Sequence, residues 1–144
     1  MRISDILRSK GSTVVTIRPA DSVRTLVAKL AEHNVGALVV SADGLAVAGI
    51  VSERDVARGL HAEPDLLDAP VSQIMTANVH TRILNDSIED LMVLMTDQRI
   101  RHVPVVSDNG ALVGIVSIGD VVKNRIGQLE FEKKQLEGYI SGAG

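Results

Sequence analysis

GIVSERD occupies residues 49–55 and GIVSIGD residues 114–120, so one strand-into-helix junction is written twice in a chain of 144 residues. Working outward from this pair, a shift of 65 positions superimposes the two halves without a gap over most of their length. Asp21-Ser22-Val23 falls on Asp86-Ser87-Ile88, Leu26 on Leu91, Val35 on Ile100, Gly49 on Gly114 and Asp55 on Asp120. Farther upstream, IxxIL at residues 3–7 echoes VxxIM at residues 71–75, with the shift changed by three residues. Two units are too few for a solenoid, which needs at least about three. The expectation is therefore two similar halves packed face to face about a pseudo-two-fold axis.

Each half carries the same order of signals. A short β run (14–17; 79–83) is followed by Pro19 or Asn85, then by an amphipathic helix opened by an Asp or Ser cap (21–33; 86–98). Val23, Leu26, Val27 and Leu30 share one face of the first helix, and Ile88, Leu91, Met92 and Met95 repeat that spacing in the second. Two further β runs follow (37–40 with 47–51; 102–106 with 112–116), joined by the turn residues Asp43-Gly44 and Asp108-Asn109-Gly110. A second helix opens at Ser52 or Ser117. The unit is β-α-β-β-α, an α+β tandem repeat with helices on one face of a small sheet. The divisions expected are residues 1–66 for the first motif with its N-terminal segment, 67–125 for the second, and 121–141 for a long C-terminal helix. Residues 61–69, flanked by Pro64 and Pro70, read as the linker.

Composition narrows the chemistry. Apolar residues make up 45 % of the chain, yet Phe131 and Tyr139 are its only aromatics, so Val, Leu, Ile and Ala must build the core. With a net charge of −3 and no run of Lys or Arg reaching five, a duplex nucleic acid is not an expected partner. There is no Cys, which removes disulfides, thiolate catalysis and Cys-based metal sites. The four histidines show no HxxxH-type spacing, so no metal site is expected. The first eleven residues carry charges and no signal core, and no apolar run approaches the roughly 20 residues of a membrane span. The chain reads as cytoplasmic, without a membrane contact.

The repeated junction has two readings. Ser-x-x-Asp at a helix start is a capping-box variant: the Ser oxygen accepts a first-turn N–H and the Asp sits near the positive helix end. Such a cap contributes about 1 kcal/mol and requires no ligand. Against this stand Gly49 and Gly114, placed inside strands where Gly weakens pairing unless a backbone or ligand approaches closely. A helix N-terminus also offers free N–H groups to an anion, while a carboxylate beside it can accept two hydrogen bonds from a ribose diol.

The doubled pattern resembles the cystathionine-β-synthase (CBS) domain pair, or Bateman module. The resemblance is carried by NVGALVV (34–40) with GIVSERD, and by RIRHVPVV (99–106) with GIVSIGD, and it covers nearly the whole chain. It implies a nucleotide-sensing module of the stand-alone bacterial type, not an enzyme, with no required cofactor. The effector it implies is an adenosine ligand (AMP, ADP, ATP, NAD or S-adenosylmethionine) held between the motifs. Transferred to this sequence, Asp120 and Ser117 would hold ribose and the adjoining phosphate, and Ile115 with Thr16, Val35 and Gly36 would enclose adenine. A second cleft would use Asp55, Ser52 and Ile50 with Thr81 and Ile100. Val39 departs from the family's frequent Pro, which Pro104 keeps. Arg101 and His102 are read as phosphate donors of the Asp120 cleft, and Arg54 as the first half's weaker substitute, so the Asp120 cleft is expected to bind more tightly.

Beyond the repeat, Val122, Ile126, Leu129, Lys133, Leu136 and Ile140 alternate by four and three, a coiled-coil seam. A homodimer and an unidentified effector protein acting in trans are the expected partners. The rival readings are a ligand-free structural or interaction protein, whose Ser-x-x-Asp elements only cap helices, and a nucleotide-acting enzyme subunit, for which no nucleophile or acid pair is evident.

Overall fold

Each half folds into the expected β-α-β-β-α unit in a computed structural model that describes residues 1–142. The first half comprises β1 (Thr16–Ile17), α2 (Val23–His33), β2 (Ala37–Val40), β3 (Gly49–Ser52) and α3 (Glu53–Ala62), preceded by α1 (Ile3–Lys10). The second comprises β4 (Arg82–Ile83), α4 (Ile88–Gln98), β5 (His102–Val106), β6 (Leu112–Ser117) and α5 (Ile118–Gly142). Each sheet has three strands, with the first parallel to the second and the second antiparallel to the third. The register obeys the shift of 65: Ala37 pairs with Ser52 and Val40 with Gly49, as His102 pairs with Ser117 and Val105 with Gly114.

Local chemistry sets the boundaries. Ser22 and Ser87 cap α2 and α4, each accepting an N–H from three residues on at 3.1 Å, while Asp21 and Asp86 hold the N–H groups of Arg18 and Ile83 at 3.0 Å. The helix starts therefore lie two residues later than the Asp residues suggest. Gly44 and Gly110 adopt φ of 81° and 82° at the hairpin turns, a region open to Gly without steric cost. Val23, Leu26 and Leu30 are buried on α2, as are Ile88, Leu91 and Met95 on α4. Val27 and Met92, placed on the same faces by spacing, are exposed at the stripe edge, and Leu94 is buried in addition. Residues 61–69 are less open than a linker. His61 and Ala62 complete α3, and Leu66 opens a 3₁₀ turn (Leu66–Asp68) and is buried in the first core.

The two halves are joined by a reciprocal exchange. The chain's leading segment lies on the second half: Ile3 and Ser4 donate to the carbonyls of Asp86 and Leu84, and Ile88 donates to Met1. The segment leading into the second half lies on the first: Val71 and Ser72 donate to Asp21 and Pro19, and Val23 donates to Ala69. These three bonds are the same three bonds, one set per half. Accordingly Ile3, Ile6 and Leu7 belong to the core of Leu91, Val103 and Val116, whereas Val71 belongs to that of Leu26, Leu38 and Val51. The N-terminal segment thus packs on the motif it does not adjoin in sequence. The pseudo-two-fold axis is marked by Ala46, which bridges antiparallel to its own counterpart Ala111.

The exchange also explains the strand glycines. A Cβ on Gly49 would stand 2.7 Å from Met75 Sδ and 2.8 Å from the Thr76 carbonyl oxygen; one on Gly114 would stand 2.6 Å from a terminal methyl of Leu7. The close neighbour is the exchanged segment in both cases. Gly49→Ala is expected to destabilise by about 1–3 kcal/mol, and Gly114→Ala by less, because backbone yields less readily than the end of a leucine. Urea denaturation of the two variants checks the order; equal losses would contradict it.

Candidate functional site

Both repeated junctions are capping boxes. At the first, Ser52 N–H donates to Asp55 Oδ2 at 2.8 Å, Ser52 Oγ–H to the same oxygen at 3.1 Å, and Asp55 N–H to Ser52 Oγ at 3.3 Å. At the second, Ser117 N–H donates to Asp120 Oδ2 at 2.8 Å and Asp120 N–H to Ser117 Oγ at 3.2 Å. Capping explains these Ser and Asp residues locally. Their surroundings then separate the two junctions.

A crevice of about 250 Å³ opens at the first junction, where α3 begins, and is walled by both halves. The first half supplies Gly36, Ile50, Ser52, Glu53, Arg54, Asp55 and Arg58; Thr76 comes from the exchanged segment, and Arg99, Ile100, Arg101 and His102 come from the end of α4 and the turn into β5. The lining thus holds four arginines, Arg54 and Arg58 from α3 with Arg99 and Arg101 from the other half, together with the carboxylates Glu53 and Asp55 and the apolar side chains Ile50 and Ile100. The fixed positive charge of the arginines, with the N-terminal end of α3, makes the crevice suited to an anion.

The Asp120 junction is built differently. Lys10, at the end of α1, reaches it with its ammonium, 2.5 Å from Asp120 Oδ2 and 2.7 Å from the Ile115 carbonyl oxygen. Burial pushes the Asp120 carboxyl up, but the Lys10 ammonium and the Ser117 N–H outweigh it and hold the group below the ordinary carboxylate range. The larger hollow beside Asp120, about 710 Å³, lies between α1 and α5 and is lined by Ser9, Lys10, Asn124 and Phe131 rather than by both motifs' strands.

Ile50, Ser52, Arg54, Asp55 and Ile100 are brought together as expected of the second cleft. Arg101, His102 and Gly36, expected beside Asp120, line the Asp55 crevice instead. Arg101 adjoins Ile100, and the pseudo-two-fold axis carries that whole strand start toward α3. His102 sits between the junctions: burial pushes its imidazole below the ordinary range, Lys10 and Arg101 add to this, and Asp120 and Glu53 oppose it. Thr16 lies in an outer depression with Arg18, Asp21 and Lys29, its carbonyl accepting from Lys29 at 3.0 Å. Val35 lines a neighbouring depression with Val27, Leu30 and Val56, which has Glu53 in common with the Asp55 crevice. The Thr81 carbonyl accepts from Arg82, and Ile115 contributes its carbonyl to Lys10. Thr16, Val35 and Thr81 do not line the Asp55 crevice.

Arg58, Arg99, Thr76 and Lys10 were not singled out by sequence reasoning. Arg99 had a readable signal. It occupies the left-handed C-cap of α4 at φ 54°, where its repeat counterpart Asn34 sits at φ 51°. Asn is at ease there and Arg is not, which is the kind of local cost associated with a functional side chain.

The CBS domain family model matches residues 3–62 and again residues 71–127. The chain belongs to the CBS domain family. A CBS-domain protein of known structure from Agrobacterium tumefaciens is 43 % identical and superimposes with a TM-score of 0.82, covering 87 % of this chain and 99 % of that one. A CBS domain protein from Pyrobaculum aerophilum, solved in complex with AMP, is 32 % identical with a TM-score of 0.75 over 83 % of this chain and 89 % of its own. The CBS domain pair of MJ0100, solved with 5′-methylthioadenosine and S-adenosyl-L-methionine, is 26 % identical with a TM-score of 0.77 over 85 % of this chain and 98 % of its own. Among the described residues, no helix is long and apolar enough to cross a membrane, and no cluster of His, Asp and Glu has a metal-binding arrangement.

Proposed function

We propose that this CBS pair is a regulatory module, not a catalyst, that binds a phosphorylated adenosine in the Asp55 crevice and signals to an effector protein in trans. The observation that carries the reading is the meeting of Asp55 with Arg54, Arg58, Arg99 and Arg101 in one inter-motif crevice. Asp55 accepts the ribose hydroxyls, Ile50 and Ile100 flank the base, and the arginines take the phosphate. The neighbours bound to AMP and to adenosine thioethers support the adenosine class. Charge then favours phosphate over a sulfonium cation, which four arginines would repel.

Isothermal titration with AMP, ATP, NAD and S-adenosylmethionine tests this. AMP is expected to bind, with affinity lowered more than tenfold by Asp55→Asn and by Arg101→Ala. Arg99→Asn is expected to weaken AMP as well while raising the melting midpoint by about 2–4 °C, as left-handed strain worth roughly 1 kcal/mol is relieved. AMP affinity unchanged by the Asp55 and Arg101 substitutions, or S-adenosylmethionine binding tighter than AMP, would overturn the reading.

Assembly as a homodimer belongs to the same proposal. Val122, Ile126, Leu129, Leu136 and Ile140 are all at least 49 % exposed along α5, so the seam does not lie on its own domain. A second copy's α5 would cover it. Truncation after Arg125 is expected to convert a sedimenting dimer to monomer; a dimer that persists would contradict this role of the seam.

A further inference from the structure

The two junctions share the Gly-Ile-Val-Ser-x-x-Asp frame, the reciprocal Ser and Asp backbone cap bonds and the strand register, yet only one of the two carboxylates carries a cation supplied by the chain. Lys10 has one-third of its side chain exposed and Asp120 about one-quarter, so the pair is partly withdrawn from solvent. Its geometry is that of a substitution. In the first half the Ile50 carbonyl accepts the Thr76 N–H at 2.9 Å, a neutral backbone donor that leaves Asp55 without a cation. In the second half the matching carbonyl, Ile115, accepts from the Lys10 ammonium at 2.7 Å, and the same ammonium goes on to Asp120.

The cause lies in the exchanged segments. Residues 71–76 make a single 3₁₀ turn (Val71–Gln73) and then extend, so Thr76 pairs with Ile50. Residues 3–10 stay helical throughout, so no backbone N–H reaches Ile115 and the last side chain of the helix reaches it instead. The residue matching Lys10 under the shift of 68 is Asn78, which carries no charge.

We infer that Lys10 masks the Asp120 junction, so that the chain takes one adenosine ligand rather than two and the residue at position 10 determines that number. This rests on the adenosine reading of the Asp55 crevice. Asp120 Oδ2 already receives the Ser117 N–H and the Lys10 ammonium, so a ribose diol competes with a charge-assisted bond for this carboxylate. Asp55 Oδ2 is held only by neutral donors, the N–H and the Oγ–H of Ser52.

Stoichiometry from isothermal titration with AMP tests the mask. The wild-type chain is expected to bind one AMP. Lys10→Met keeps an unbranched apolar stem on α1 but removes the ammonium, and is expected to bind two, the second site gaining at least tenfold in affinity. Lys10→Arg, which keeps a cation, is expected to remain at one. Adding Asp120→Asn to Lys10→Met should return the count to one, and adding Asp55→Asn should leave only the unmasked site. A native-like amide NMR spectrum of Lys10→Met establishes that α1 remains docked; an undocked α1 with no second site would overturn the inference, because Lys10 would then be a structural tie. Two sites in the wild-type chain, or one in a folded Lys10→Met chain, would also overturn it. If the wild-type chain bound nothing and Lys10→Met bound one AMP, the mask would stand and the Asp55 reading would fall; no binding by either would end both.

Discussion

Everything in this molecule is positioned by the crossing of two short segments, each of which closes the core of the half it does not belong to by sequence. A three-stranded sheet with two helices is a small unit with little core of its own. Ile3, Ile6 and Leu7 complete the core around Leu91 and Val116, and Val71 completes the one around Leu26 and Val51. The same crossing brings Met75 and Thr76 down on Gly49 and Leu7 down on Gly114, which is why a strand that would otherwise favour a branched residue carries Gly at those points. Separation of the halves would uncover both cores at once.

The crossing also sets the chemistry. Because the axis passes between Ala46 and Ala111, the start of β5 faces the N-terminus of α3, and the residues that the two repeats do not share meet there. Gly36 and Ala37 in one half answer to Arg101 and His102 in the other, so two related elements produce one cationic crevice rather than two equal ones. The second departure from symmetry is the helical form of residues 3–10, which brings Lys10 to Asp120. A shared Gly-Ile-Val-Ser-x-x-Asp frame therefore coexists with unequal electrostatics, to which Glu53-Arg54 against Ile118-Gly119 also contributes.

The repeat, the order of elements, the hairpin turns and the two capping boxes were legible because each depends on local spacing: Ser52 to Asp55, Gly44 and Gly110 at the turns, Leu26 and Leu91 on helix faces. The family was legible for the same reason. The membership of the crevice was not, since it depends on which strand start crosses the axis. Ile100 belongs to the expected Asp55 set and Arg101 to the expected Asp120 set, yet both line the Asp55 crevice. Thr81, expected in the Asp55 cleft, does not line that crevice, and Thr16, expected in the Asp120 cleft, lines an outer depression with Arg18, Asp21 and Lys29. Lys10 could not be found by spacing, because its role follows from a helix that continues where the matching segment extends.

Native-state hydrogen exchange across increasing denaturant tests the central claim most directly, through the amides of Val39 and Val51 in one half and Val105 and Val116 in the other. All four lie in fully buried strand positions. If the exchanged segments make the halves one cooperative body, these amides should open with a single free energy and a single denaturant dependence, equal to those of global unfolding. A lower opening free energy for one pair, with its own smaller denaturant dependence, would show that the halves unfold independently and would contradict the reciprocal exchange as the basis of the fold.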